Sequence, residues 1–238
     1  MKYEMPARIR FSEADSNGVL TLFHLINYLQ DCSTFHGEDV NRGLRWSREI
    51  GAAWVIAAWQ IHIRRLPSVG DRVVVKTWPY YFRGFMGYRN YTMETQEGEL
   101  LVSANSEWIF MDLKNNRPVR TEKNLLEIFG AEHEEKLPEE FGERKIILTQ
   151  QGEQQETFYI RDYHLDTNHH VNNGQYIRMA EQYLEQGFQT VHFRAEYKNQ
   201  AYLGDAVVPR ICRVENGYQI SLENPEGISY FTAEFLAI

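Results

Sequence analysis

The chain has 238 residues, of which 43% are hydrophobic and 24% charged; this is ordinary for a globular protein and excludes a disulfide mini-protein or a disordered chain. Lys and Arg number 25 against 33 Asp and Glu, and the net charge of −8 has the wrong sign for holding a phosphate backbone, so nucleic acid is not an expected partner. The longest apolar run, Gly51 to Trp59, is far short of the ~20 residues needed to cross a bilayer, and the opening residues hold no signal-peptide apolar region. Cys32 and Cys212 stand far apart, as reduced thiols do. These features fit a cytoplasmic protein without membrane association.

A short strand is expected over Tyr3 to Phe11. Asp15, Ser16 and Asn17 then supply turn and capping side chains, and Leu22, Leu25, Ile26, Leu29, Cys32 and Phe35 follow at helical spacing, giving one long core helix. From Ala52 to Leu113, four β-branched and aromatic runs separated by Pro, Gly and Asp turn signals read as successive antiparallel strands. Between about Glu122 and Glu156 carboxylates accumulate, which reads as a short helix and a solvated linker. A strand near Phe158 to Arg161, a turn-rich segment, a helix from about Asn173 to Phe188 and four more strands complete the chain. The order strand, helix, four strands is thus written twice, in an α+β fold.

The repetition also holds residue by residue. Asp15-Ser16-Asn17 and Asp166-Thr167-Asn168 lie 151 positions apart, each ahead of the long helix of its half, and Gly70-Asp71 and Gly204-Asp205 lie 134 apart. The difference places extra residues in the first half, between about Gly37 and Ile50. A helix apolar around much of its circumference needs the antiparallel sheet wrapped around it, so two such units are expected. They divide the chain into residues 1–130, a linker over 131–156, and 157–238.

Reactive side chains are densest from Asp162 to Tyr176, where Asp166, Asn168, His169, His170, Asn172 and Asn173 precede the second helix. Asp and Asn there also serve as caps for first-turn N–H groups. The first half keeps Asp15 and Asn17 at the matching positions but has Gly18 and Val19 opposite His169 and His170. One copy of a doubled scaffold is therefore equipped with ionisable groups that the other lacks.

The run Asp166-Thr167-Asn168-His169-His170-Val171-Asn172-Asn173, followed by a helix with an early Tyr176, resembles the acyl-acyl carrier protein thioesterases, whose plant and bacterial members carry Asp-x-Asn-x-His-Val-Asn-Asn. The likeness extends to the strand pair around Trp59 to Trp78 and to Ser106 through Arg120, and without a transit peptide ahead of it the chain is closer to the bacterial branch. The resemblance implies tandem hotdog domains and hydrolysis of the thioester between a fatty acyl chain and the phosphopantetheine arm of acyl carrier protein, without metal or organic cofactor. It also implies that the acyl chain threads the first domain, and that Asp166, Asn168 and His170 are catalytic. The family's Glu-Tyr-Arg-Arg-Glu-Cys stretch stands here as Glu196-Tyr197-Lys198-Asn199-Gln200-Ala201. Gln200 therefore replaces a carboxylate, Ala201 replaces a thiol, and the chemistry is pushed onto Asp166.

Thioester hydrolysis needs a nucleophile and a stabiliser for the oxyanion on the attacked carbonyl. Asp166 is suited to draw a proton from water or to attack directly and form an anhydride, and the sequence leaves both open. His170 is suited to hold the water or protonate the leaving thiolate, Asn168 to orient a carboxylate or carbonyl, and Gln200 to hydrogen-bond a water without titrating. The start of the second helix, at Asn173 and Gly174, offers N–H groups for the oxyanion. An acyl-CoA thioesterase would use the same residues, and Gln200 also leaves open a non-catalytic acyl-binding protein. If Asp162, His164 and Asp166 alternate on an extended face, His169 or His170 would complete a metal site.

All five tryptophans, Trp46, Trp54, Trp59, Trp78 and Trp108, fall in the first half, and Trp54, Trp59, Leu25 and Leu29 are the expected lining of an acyl pocket. Acyl carrier protein is acidic, so a chain of net charge −8 needs a local basic patch. Arg42, Arg45 and Arg48 are the first candidates, with Lys114, Arg117, Arg120 and Lys123 the second. A homodimer is compatible with all of this, and nothing in the sequence selects it.

Overall fold

The apolar spacing that begins at Leu22 does make a helix. In the computed structural model, which describes residues 2–149, 152–166 and 169–237, α1 spans Leu22–Asp39. Thr21 caps it, its side chain accepting from the His24 N–H. Leu25, Ile26 and Leu29 are fully buried along one face, each worth ~1.5–3 kcal/mol of apolar burial.

The chain divides into two units, the first running to Ala57 and from Arg64 to Phe141, the second made of Ala58–Ile63 and everything from Gly142 on. In the first unit α1 packs on β1 (Tyr3–Arg8) and on the strand after it in the sheet. A second helix, α2 (Leu44–Ile50), follows, then β2 (Ala52–Ile63), β3 (Arg72–Arg83), β4 (Met86–Thr95) and β5 (Leu100–Asp112). The pairs β1–β3, β3–β4 and β4–β5 are all antiparallel, with Tyr3 opposite Thr77, Thr77 opposite Tyr91 and Tyr91 opposite Ala104. The two-residue β6 (Arg117–Pro118) pairs with β5, and the single-turn α3 (Leu125–Ile128) brings Leu125 and Phe129 against Trp54 and Phe82.

The helix α2 lies inside the stretch identified from the sequence only as extra residues. It buries no side chain, so no apolar period marks it; Gly43 and Gly51 flank it, and Gly51 ends it in the left-handed conformation at φ 69°.

The interior of the first unit is not uniformly apolar. Arg89 on β4 is buried, with Nη1 donating to His36 Nδ1 at 3.1 Å and to Thr77 Oγ1 at 3.2 Å, and its guanidinium lies 5.0 Å from the Phe129 ring centroid. Tyr3 stacks on the other side of His36 at 4.8 Å, and its hydroxyl donates to Asp39 at 2.8 Å. A guanidinium only donates, so His36 Nδ1 is the unprotonated nitrogen. Burial first, and the Arg89 charge second, push His36 down to about 3.

The second unit takes the later half of β2, where Ala58–His62 pair antiparallel with Glu196–His192 of its own sheet. After β7 (Glu153–Gln154) and β8 (Phe158–Tyr159) comes α4 (Asn173–Glu181), then β9 (His192–Tyr197), β10 (Ala206–Val214), β11 (Gly217–Glu223) and β12 (Ser229–Leu236). The sheet order from β2 is β9, β12, β11, β10, β7, and β8 also pairs with β10. The helix packs on β11 and β12. It stops at Glu181 rather than near Phe188, because the chain continues in three-residue turns, such as Tyr183 N–H to Ala180 O, and reaches Gly187 at φ 84°.

The acidic stretch after α3 is not a freely solvated linker, because its backbone satisfies buried polar side chains. Glu135 O accepts from the Trp78 indole at 2.8 Å in the first unit. In the second, Gly142 O accepts from Gln60, Glu143 O from Arg194, and Ile146 N–H donates to buried Glu196 at 3.3 Å. Gln219 accepts from Thr149 N–H at 3.0 Å and donates to Glu234 at 2.7 Å. These are the partners that buried amides and carboxylates require.

With its folded pKa depressed, His36 stabilises the fold fully above its ordinary value of 6.5, and that contribution is lost as pH falls toward 3, by up to ~1.4 kcal/mol per pH unit. His36→Gln, which keeps an acceptor but cannot titrate, should therefore show a shallower loss of stability than the parent between pH 6.5 and 3 in parallel urea titrations. Identical pH dependence would contradict the assignment.

Candidate active site

The two halves build matching loops that share their turn-closing hydrogen bonds among the described residues. In the first, a one-turn 3₁₀ helix at Phe11–Glu13 is followed by an Ala14–Leu20 bridge. Asp15 N–H donates to Val19 O at 2.8 Å, Val19 N–H returns to Asp15 Oδ1 at 3.0 Å, and Gly18 N–H reaches Asp15 O at 3.0 Å. In the second, a 3₁₀ turn at Asp162–His164 precedes a Leu165–Val171 bridge. Asp166 N–H donates to His170 O at 2.8 Å, His170 N–H to Asp166 Oδ1 at 3.3 Å, and His169 N–H to Asp166 O at 3.1 Å. Gly18 at φ 76° and His169 at φ 61° occupy the same left-handed position, which glycine takes without strain and histidine does not.

The adjoining turn is duplicated as well. Leu20 N–H donates to Pro67 O and Val171 N–H to Ala201 O; Ser68 N–H donates to Asp71 Oδ2 and Tyr202 N–H to Asp205 Oδ2, both at 2.9 Å. Against this common backbone the substitutions stand out. His170 replaces Val19, Tyr202 replaces Ser68, and Tyr176 with Ala201 replaces Leu25 with Pro67. The last exchange is coupled: proline has no N–H, whereas the Ala201 N–H is buried and is accepted by the Tyr176 hydroxyl at 2.9 Å. Desolvation raises the Tyr176 pKa well above its ordinary value, which keeps the phenol neutral.

Asp166 and His170 are thus brought into one turn. The half-buried His170 imidazole packs edge-to-face on the Tyr202 ring at 5.1 Å, and the Tyr202 hydroxyl donates to Gln200 Oε1 at 3.2 Å, so Gln200 joins the same cluster from the far side of Tyr202. Asn168 lies outside the described residues. The start of α4 is spent differently from the expectation: Gly174 N–H is already accepted by Asn172 Oδ1 at 2.9 Å, and Asn173 O accepts from the Tyr197 hydroxyl at 3.0 Å. An oxyanion would have to displace the Asn172 cap to use the Gly174 amide.

The expected alternation of Asp162, His164 and Asp166 on an extended face is overturned, because Asp162–His164 is a helical turn. His164 is buried, its Nδ1 accepts the Arg161 N–H at 3.0 Å, and burial followed by the Arg178 and Arg161 charges lowers its pKa. Among the described residues no His, Cys, Asp and Glu come together as a metal-ligand set.

Of the expected pocket residues, Leu25 and Leu29 are buried side chains of α1, and Trp54 packs with Phe82 at 5.5 Å and Phe110 at 5.0 Å. Trp59, opposite Ala195, belongs to the second unit, so the tryptophans are not all in the first. Of the first basic candidates, Arg42 pairs with Glu122 at 3.1 Å and lies over Trp46, Arg45 pairs with Glu49 at 2.8 Å, and Arg48 is exposed. Lys114, Arg117, Arg120 and Lys123 are exposed and make no ion pair among the described residues.

Tyr202 and the Tyr176–Ala201 bond were missed by sequence reasoning. The signal that could have found them is the pair of substitutions at matched repeat positions, Leu25 with Pro67 against Tyr176 with Ala201.

Two α+β units built on one duplicated helix-and-sheet plan, with histidines in only one of the two loops, define a doubled hotdog-type protein. The profile of the acyl-ACP thioesterase N-terminal domain matches residues 1–129, and that of the C-terminal domain matches 147–220. The chain belongs to the acyl-ACP thioesterase family. It is 25% identical over 227 residues to oleoyl-acyl carrier protein thioesterase 1, chloroplastic, of Arabidopsis thaliana, covering 87% of this chain and 62% of that one. It is 28% identical over 187 residues to the chloroplastic acyl-acyl-carrier-protein hydrolase FATB2 of Cuphea viscosissima, covering 71% and 44%. The chain thus spans about half the length of these curated relatives. Its fold matches a putative oleoyl thioesterase from Lactobacillus plantarum (TM-score 0.85, 20% identity, 99% and 95% covered). It also matches an acyl-ACP thioesterase from Bacteroides thetaiotaomicron (TM-score 0.84, 21% identity, 99% and 97% covered).

Because Asp15 and Asp166 close identical turns, Asp15→Ala and Asp166→Ala should each lower stability by about 1–2 kcal/mol in urea denaturation. A much larger loss for Asp166→Ala would contradict the equivalence of the loops.

Proposed function

We propose that this chain is a thiolester hydrolase that releases free fatty acid from the phosphopantetheine arm of acyl carrier protein. The observation that carries the reading is the contrast between the two loops. The turn is complete with Asp15, Val19 and Ser68, so His170, Tyr202 and Gln200 are not required to build it. Family membership supplies the reaction class.

In this reading Asp166 draws a proton from the attacking water, or attacks the thioester carbon to form an anhydride that water then hydrolyses to the free acid, and His170 gives a proton to the departing thiolate. Asn168 orients the carboxylate or the carbonyl. Gln200 takes the place of a second carboxylate and transfers no proton, so the proton of the water passes to Asp166. No metal or organic cofactor enters the reaction. The acyl chain lies in the first unit, whose interior supplies apolar walls at Leu25 and Leu29 and one fixed cation at Arg89. The acidic carrier docks on Lys114, Arg120 and Lys123, which are exposed and form no ion pair among the described residues, in preference to Arg42 and Arg45. No helix among the described residues is long and apolar enough to cross a membrane, and we place the protein in the cytoplasm, acting on carrier-bound chains.

The test is release of free thiol from a panel of acyl-ACP and acyl-CoA substrates. Higher kcat/KM on acyl-ACP is expected; preference for acyl-CoA would reassign the thioester donor, and binding without turnover would make the protein an acyl-binding one. Asp166→Asn, which keeps the turn-closing oxygen, should lower kcat by ~10²- to 10⁴-fold, whereas Asp15→Asn should leave it within about twofold. Equal activity of the two variants would dismiss Asp166 as the base.

Reversing Lys114, Arg120 and Lys123 to Glu should raise KM for acyl-ACP and leave that for a small acyl thioester unchanged. An equal rise for both substrates would rule out carrier docking at this patch.

A further inference from the structure

Tyr202 touches both His170 and Gln200. Its ring meets the imidazole at 5.1 Å with the planes at 72°, and its hydroxyl hydrogen-bonds the carboxamide oxygen at 3.2 Å. The fold gains little from this side chain, which is 48% exposed. The backbone around it is held by other groups: Tyr202 N–H on Asp205 Oδ2 at 2.9 Å, Asp205 N–H on Tyr202 O at 3.1 Å, and Ala201 N–H on the Tyr176 hydroxyl. The other copy keeps the two matching turn bonds with Ser68 and Asp71, and there neither the aromatic ring nor the histidine is present. The two side chains occur together in one loop and are missing together from the other.

We infer that Tyr202 is a positioning residue for the hydrolysis, fixing the His170 imidazole through its ring and the Gln200 carboxamide through its hydroxyl. The inference rests on the thiolester-hydrolase reading. Its chemical consequence lies in which end of Gln200 is left over. With Oε1 occupied by the tyrosine, the free end is Nε2, which makes no hydrogen bond among the described residues. Gln200 then presents an N–H donor, suited to the oxygen of the attacked carbonyl as negative charge develops there, and it neither gives nor takes a proton. Where the resemblance implies a carboxylate, this chain has a neutral donor oriented by a phenol. The capped Gly174 amide, already spent on Asn172, is consistent with a donor being supplied from elsewhere.

The test uses Tyr202→Phe, which keeps the ring and removes the hydroxyl, and Tyr202→Ser, the residue that the matching turn already accommodates at Ser68. Tyr202→Phe should lower kcat about tenfold, the worth of one hydrogen bond, with KM within twofold. Gln200→Ala, which removes the donor itself, should lower kcat by ~10²- to 10³-fold, and the double variant should be no worse than Gln200→Ala alone. Losses that multiply in the double variant, or an unchanged kcat in Tyr202→Phe, would overturn the inference. A second readout does not need turnover: the His170 ring-proton NMR resonances should move in Tyr202→Ser and stay in place in Tyr202→Phe. Resonances unmoved by Tyr202→Ser would overturn the ring contact. A parent protein inactive on every thioester would instead overturn the hydrolase reading, and the NMR comparison would still decide whether Tyr202 holds His170.

Discussion

The structure turns on a carboxylate that closes a backbone turn. Asp166 exchanges hydrogen bonds with the main chain of His170, and Asp15 does the same with Val19. Such a turn fixes where residue i+4 leaves the loop, so whatever side chain sits there is aimed by the fold rather than by its own contacts. Doubling a scaffold with an aimed but chemically empty position allows one copy to acquire function without redesign. Here the position holds valine in the first loop and histidine in the second. The structural and chemical duties of Asp166 are for that reason superimposed on one side chain, and only comparison with Asp15 separates them.

Around that constraint, several buried polar groups meet specific partners. The Ala201 N–H, absent at Pro67, is met by the hydroxyl of Tyr176, which also stacks on Phe231 at 5.5 Å. Glu196, Gln219 and Glu234 on the second sheet are met by the backbone of residues 146–149 and by one another. Arg89 in the first unit is met by a neutral histidine and a threonine rather than by a carboxylate. A guanidinium in that interior makes the core of the first unit less uniformly apolar than its helix suggests.

Much of this was legible from residues alone. The start of α1, the strands and the doubled plan follow from apolar period, turn residues and the matched Asp15 and Asp166 segments, all local signals. What was not legible depended on tertiary contact. The helix α2 hides no face, so its only marks are two glycines. The acidic segment after α3 reads as solvated because its side chains are charged, yet its main chain is what the sheets use. Arg42 and Arg45 read as a basic patch until Glu122 and Glu49 are seen beside them. Tyr202 carries no motif and gains its meaning only when the fold sets it between His170 and Gln200.

Cleavage at the second loop and not at the first is what the difference between the two copies means for function. The direct measurement is a crystal structure with an acyl-pantetheine analogue whose thioester sulfur is replaced by methylene, leaving a ketone that cannot be hydrolysed. The ketone oxygen and its neighbouring carbon are expected at the Asp166–His170 turn, with the oxygen about 3 Å from a donor there. A ketone seated at the Asp15–Val19 turn, or away from both loops, would contradict it.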